Sequence, residues 1–226
     1  MSTRAVFFDV DFTLIHPGRT FQGPGYADFC ARHGVTVDPQ RFMDAMRAAS
    51  STLHAEGSVY DPAVFIEYTC RIIEGMGGAG PGVVEAAKEL YEAWPACEHF
   101  TLYEEVPGVL RELRDGGYTI GLITNTQRSL TEFERHFDLG GLFSFAISSY
   151  DHGYMKPHPS IFEEALRRAR VAPREAVMVG DSVPHDITGA LRSGMRGVLV
   201  ARSGLSTGAP ADVPVIQTLR ELPPLL

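Results

Sequence analysis

A chain of 226 residues, 44% apolar and 21% charged, has the size and texture of one large globular domain or of a core carrying a smaller insert. Its formal charge of −8 argues against a broad nucleic-acid or anionic-membrane surface, yet leaves room for a small anionic ligand met through a local cation. No apolar run is long enough to span a bilayer, Met1-Ser2-Thr3-Arg4 lacks the shape of a signal peptide, and Cys30, Cys70 and Cys97 fit no metal spacing; a cytoplasmic protein with thiols at helix cores or boundaries is expected.

The first element is a short buried strand, Ala5-Val6-Phe7-Phe8, running into Asp9-Val10-Asp11-Phe12-Thr13. Ligands of open α/β sheets bind beyond the carboxyl ends of the strands. Two carboxylates close together there repel each other unless a cation lies between them. Mg²⁺ takes oxygen ligands, commonly one or two carboxylates with waters and phosphates. Residues 5–14 therefore point to a Mg²⁺-assisted phosphate site, although Asp after a strand is also ordinary turn chemistry.

His16-Pro17-Gly18 is a turn signal, and from roughly residue 20 to 98 the pattern is helical. Tyr26, Phe29 and Cys30 make one apolar face. Phe42, Met46, Ala49 and Leu53 make a second after Asp38-Pro39, and Phe65, Tyr68, Ile72 and Met76 a third after Asp61-Pro62. Val84, Ala87, Leu90, Tyr91 and Trp94 make a fourth, opened by Pro81. These stripes read as the packing faces of a small bundle. Gly75-Met76-Gly77-Gly78-Ala79-Gly80 matches G-x-G-x-x-G, but no strand precedes it, so it reads as an interhelical loop and not a dinucleotide site.

From Glu105 helices alternate with strands. Helices are expected over 107–116, 129–137, 159–170 and 186–194, and strands over 118–123, 143–148, 176–179 and 197–201. Residues 204–214 read as loop, and 219–222 as a short final turn. Alternation of this kind predicts right-handed crossovers and a parallel sheet: an α/β, Rossmann-like three-layer core. The expected division is 1–16 with 101–226 as core and 17–100 as an inserted helical unit. Because the insert departs from the strand end that carries Asp9 and Asp11, it is expected to act as a lid.

Three further strand ends carry polar groups: Thr124-Asn125, Lys156-Pro157, and Gly180-Asp181-Ser182 with Asp186. Each has an ordinary alternative as a turn, a helix cap or a surface charge. Together they supply the parts of one phosphoryl-transfer site.

The order Asp9-x-Asp11-x-Thr13, Thr124, Lys156-Pro157 and Gly180-Asp181-Ser182-x-x-x-Asp186 resembles the haloacid dehalogenase-like (HAD) hydrolase superfamily, matching all four of its motifs in sequence. The helical insert resembles that superfamily's cap. One departure is Phe12, where the family usually has glycine. The resemblance implies Asp9 as the nucleophile, giving an aspartyl-phosphate, and Asp11 as the acid toward the leaving oxygen and then the base toward water. It implies Thr124, with a backbone N–H near Asn125, and Lys156 as ligands of the phosphoryl group. It implies Mg²⁺ on Asp9, the backbone carbonyl of Asp11 and Asp181, with Asp186 and Ser182 behind them. The implied activity is a Mg²⁺-dependent phosphatase acting on a small phosphorylated metabolite, with neither nucleic acid nor membrane as partner; the sequence is silent on oligomeric state. The rivals are a metal-free dehalogenase, in which an acid at Asp11 would be idle, a phosphosugar mutase, and a non-catalytic Mg²⁺-binding phosphoacceptor module.

Overall fold

The structure is a computed structural model, and it describes residues 2–54, 59–202 and 208–226. In chain order the elements are β1 (Ala5–Phe8), β2 (Ile15–Pro17), α1 (Gly23–Arg32), α2 (Phe42–Ala49), α3 (Pro62–Gly75), α4 (Gly82–Ala93) and β3 (Phe100–Leu102). They continue with α5 (Val106–Asp115), β4 (Thr119–Thr124), α6 (Leu130–His136), β5 (Phe145–Ser148), α7 (Ser149–His152) and α8 (Pro159–Ala169). The last are β6 (Ala176–Gly180), a π-helical turn (Val183–Ile187), α9 (Thr188–Arg192), β7 (Arg196–Val200) and β8 (Val215–Ile216).

Six strands form one sheet in the order β5-β4-β1-β6-β7-β8, and all five pairings are parallel. β1 lies at the centre, and all four of its side chains are fully buried, so both faces of the sheet are covered. This is the α/β class that the alternation predicts. On one face Phe7, Ile123, Ile147 and Met178 pack with Ile161, Phe162 and Ala165 of α8 and Ala190 of α9. Register then sets the level of the site. Phe8 pairs with Leu122 of β4 and with Val179 of β6, so the residues that follow on these three strands emerge at one carboxyl edge. β2 and β3 form a separate two-stranded sheet.

The chain divides into two compact units. One contains residues 1–16, 58–60 and 102–226, and the other residues 17–57 and 61–101. The second unit is helical. Within it α2 packs on α3, and α4 packs on both α3 and α1. Asp61 caps α3 by accepting from the Ala63 N–H at 2.9 Å, and Asp38 likewise caps the short turn before α2. The glycine-rich stretch 75–80 runs from the end of α3 toward α4, as an interhelical loop.

Several local details differ from the sequence expectation. The helix expected over 186–194 starts earlier, as a π turn, because Ser182 caps it from before Pro184. β2, β3, α7 and β8 are not anticipated by the sequence: His16-Pro17 of the expected turn lies in β2, which with β3 makes a short two-stranded sheet, α7 is a single turn, and β8 is two residues paired with β7. None of the four is long enough to show a period. Residues 203–207, within the stretch expected as loop, lie outside the described residues.

Gly189 marks close packing of α9 against α8. A Cβ there would fall 2.5 Å from the ring of Phe162, itself fully buried, and 3.2 Å from the Cα of Pro157. Helix propensity alone favours Gly→Ala by about 1 kcal/mol. Overpacking of an immobile ring costs about 1–3 kcal/mol. Gly189→Ala is therefore expected to lower the denaturant midpoint at unchanged slope, and a raised midpoint would show that propensity wins and that the α8–α9 contact is loose.

Candidate active site

At the carboxyl edge two of the predicted residues, Asp9 and Asp186, meet at one ammonium group. Lys156 is buried, and its Nζ donates to Asp9 Oδ1 at 2.7 Å, Asp186 Oδ1 at 2.6 Å and the Ile123 carbonyl at 2.8 Å. An ammonium has three N–H donors, so all three are used. Burial works against the charged form, but the neighbouring Asp186 and Asp9 carboxylates hold Lys156 above its ordinary pKa.

Asp9 follows β1 directly, its backbone N–H donating to Val179 O at 2.9 Å. Its second oxygen, Oδ2, accepts from the Thr13 hydroxyl at 3.0 Å. Burial pushes its carboxyl up to about 7; Lys156 opposes that shift, and Asp186 adds to it. Asp181 stays accessible at the mouth of the site. It is pushed above the usual carboxylate range by the protein walls around its carboxyl and by the charges of Asp9 and Asp186.

Asp186 is buried, and Oδ2 accepts from the Ser182 N–H at 3.0 Å. Its place depends on Gly180: a Cβ there would lie 2.2 Å from the Asp186 carboxylate. Ser182 also accepts from the His185 N–H and bonds His185 Nδ1 at 3.0 Å, which fixes the turn behind Asp181.

Thr124 is buried at the end of β4. The Asn125 side chain is committed elsewhere: its amide donates to the Lys156 carbonyl at 2.9 Å and accepts from the Lys156 N–H at 2.7 Å. That reciprocal pair pins the backbone from which Lys156 reaches inward. Phe12 adopts φ +66°, the left-handed region where glycine is at ease. The aromatic residue thus accepts a strained φ at the turn after Asp11.

Arg128 was missed by the sequence reading. It is the largest fully buried side chain among the described residues, and its Nη1 donates to Asp11 Oδ1 at 2.7 Å. In sequence it looks like a lone basic residue just before a helix cap. The available signal was its place in the same loop as Thr124 and Asn125.

Carboxylate oxygens of Asp9, Asp181 and Asp186 lie within 4.8 Å of one another. Four carboxylates (Asp9, Asp11, Asp181, Asp186) face two buried cations (Lys156, Arg128), an excess of two negative charges. Clustered hard oxygen donors with that excess fit a divalent cation. The grouping draws in Asp186 beside Asp9 and Asp181. The Asp11 carboxylate is turned to Arg128.

Comparison with known proteins agrees with this frame. The family model for haloacid dehalogenase-like hydrolases matches residues 3–194. Glyceraldehyde 3-phosphate phosphatase of Pyrococcus furiosus is 32% identical over 202 residues, covering 86% of this chain and 79% of that protein. Phosphoserine phosphatase of Thermus thermophilus is 35% identical, covering 80% and 72%. A solved 2-haloacid dehalogenase of Pseudomonas syringae is 26% identical with a TM-score of 0.63, covering 99% and 97%. The chain belongs to the haloacid dehalogenase-like hydrolase family, and it is an enzyme of that class.

The raised Asp9 carboxyl gives a signed expectation for the protein in chelator. Between about pH 4 and pH 7 the folded chain keeps a proton that the unfolded chain releases, so folding stability falls as pH rises through that window. Asp9→Asn has no such proton. The stability of the wild type relative to Asp9→Asn should drop across the window by a few kcal/mol at most, at about 1.4 kcal/mol per pKa unit. Parallel stability curves would mean that Asp9 is not held protonated.

Proposed function

We propose that the protein is a Mg²⁺-dependent phosphatase that hydrolyses a small phosphorylated metabolite through an aspartyl-phosphate on Asp9. The observation that carries this reading is the Asp9 carboxylate held on both oxygens, by Lys156 and by Thr13, in the same cluster as Asp181 and Asp186. A carboxylate fixed in this way presents one orientation of its remaining lone pairs to an incoming phosphorus. Thr124 and the backbone N–H near Asn125 bind phosphoryl oxygens in this reading, while Lys156 neutralises charge on the same side. Asp11 protonates the leaving oxygen as the P–O bond breaks, then takes a proton from the water that releases phosphate. A divalent ion would be held by Asp9, Asp181, Asp186 and the Asp11 carbonyl, and would supply the charge neutralisation that lets a carboxylate approach an anionic ester. The helical unit of residues 17–57 and 61–101 selects the substrate. Among the described residues no helix is long and apolar enough to cross a membrane, and a cytoplasmic location suits a phosphometabolite.

The phosphatase relatives support this outcome over dehalogenation, as does an acid at Asp11, which a carbon–halogen bond would leave idle. A phosphate-release screen over a panel of phosphometabolites tests it. Turnover is expected with Mg²⁺, and it should be abolished by EDTA and lost by at least about a thousandfold in Asp9→Asn. Halide release without metal, or isomer interconversion without free phosphate, would replace the reading with dehalogenase or mutase. A stoichiometric phosphoprotein without turnover would replace it with the phosphoacceptor module.

A further inference from the structure

Arg128, the largest fully buried side chain among the described residues, is not used by the proposed chemistry. Its backbone is fixed. The Arg128 N–H donates to the Thr126 hydroxyl at 3.1 Å, and the Thr126 carbonyl accepts from the Tyr150 N–H at 3.3 Å. Three residues before Arg128, Asn125 is tied to the Lys156 backbone. From this anchored loop the guanidinium reaches the loop after β1, 117 positions away in sequence, and meets Asp11 Oδ1 at 2.7 Å. The Arg128 side chain is 1% exposed and that of Asp11 14% exposed, so the pair is shielded from bulk water. A surface ion pair contributes little and is easily exchanged, whereas a buried one needs a specific geometry to offset its desolvation.

Asp11 forms an isolated β-bridge with Ile15 at a tight turn, where the following residue, Phe12, sits in the left-handed region. Its side chain has two rotatable bonds, and a proton donor off by a fraction of an ångström loses much of its effect.

We propose that Arg128 is a positioning residue that orients the Asp11 carboxyl toward the oxygen leaving phosphorus. The inference rests on the reading of Asp11 as acid and base. In the step concerned, the Asp9 Oδ–P bond forms, the P–O bond to the alcohol breaks, and the alcohol oxygen takes the Asp11 proton. Water then attacks phosphorus, the Asp9–P bond breaks, and the proton from water goes to Asp11. Arg128 does not touch the reacting atoms; it fixes where Asp11 delivers and collects the proton.

The test separates positioning from general support of the fold. Alkyl phosphates expel a basic alkoxide and need the proton, whereas p-nitrophenyl phosphate expels a stable anion and barely needs it. With Mg²⁺ present, Arg128→Gln is expected to lower kcat/KM, which covers the steps through departure of the alcohol, by roughly ten- to a hundredfold on an alkyl phosphate. On p-nitrophenyl phosphate the loss in kcat/KM should be under about threefold, because the hydrolysis of the aspartyl-phosphate that follows is common to both esters and lies outside this ratio. Arg128→Lys, which keeps a buried positive charge, should recover part of the loss and serves if the glutamine variant does not fold. Added to Asp11→Asn, Arg128→Gln should cost nothing further on the alkyl ester, since both act through one group. Equal losses on both esters, or losses that multiply in the double variant, would overturn the inference. An Asp11→Asn enzyme without leaving-group bias overturns the acid–base reading itself. A biased Asp11→Asn beside an unbiased Arg128→Gln overturns the role of Arg128 alone.

Discussion

The site depends on one buried ammonium. Lys156 satisfies Asp9, Asp186 and a backbone carbonyl at once, and its removal would leave two carboxylates unpaired where water does not reach. A buried ionic cluster of this kind is poor evidence for stability, because well-packed apolar groups of the same volume often do as well. Its value lies in geometry: each hydrogen bond fixes the orientation of a charged group that the chemistry needs.

The surrounding fold can be understood as support for that cluster. The parallel register brings the ends of β1, β4 and β6 to one edge. Gly180 supplies the space that the Asp186 carboxylate fills, and Asn125 locks the backbone that carries Lys156. Gly189 lets α9 close onto Phe162 and Pro157, directly behind the lysine. Two charge centres result. One is Lys156 with Asp9 and Asp186, beside the accessible Asp181; the other is Arg128 with Asp11. Burial and the neighbouring carboxylates raise the Asp9 and Asp181 carboxyls in the first centre.

The chain makes some of this legible and hides the rest for definite reasons. Central strands announce themselves because a strand buried on both faces must be apolar throughout, as Ala5–Phe8 and Ala176–Val179 are. Helix starts are readable at Asp38-Pro39 and Asp61-Pro62, because an Asp cap with Pro after it has a local cause. Asp9, Lys156 and Asp186 were traceable as polar residues at strand ends, and the structure brings them into direct contact. The Asn125 side chain defeats such reasoning, since its partner lies 31 positions away and nothing local marks it. Arg128 does so more strongly: its burial follows from the packing of two loops, not from any pattern around it. Phe12 shows the limit of composition at turns, because a left-handed φ is expected of glycine and is carried here by an aromatic residue.

The central claim is that the carboxylate clamped by Lys156 is the group that takes the phosphoryl. Acid quenching during turnover of a phosphate ester, followed by borohydride reduction and peptide mass spectrometry, reads that event directly, since an acyl phosphate is reduced to an alcohol. The account predicts homoserine at position 9 and at no other acidic position. An unmodified Asp9 beside a reduced acyl phosphate elsewhere, on Asp181 or Asp186, would contradict it.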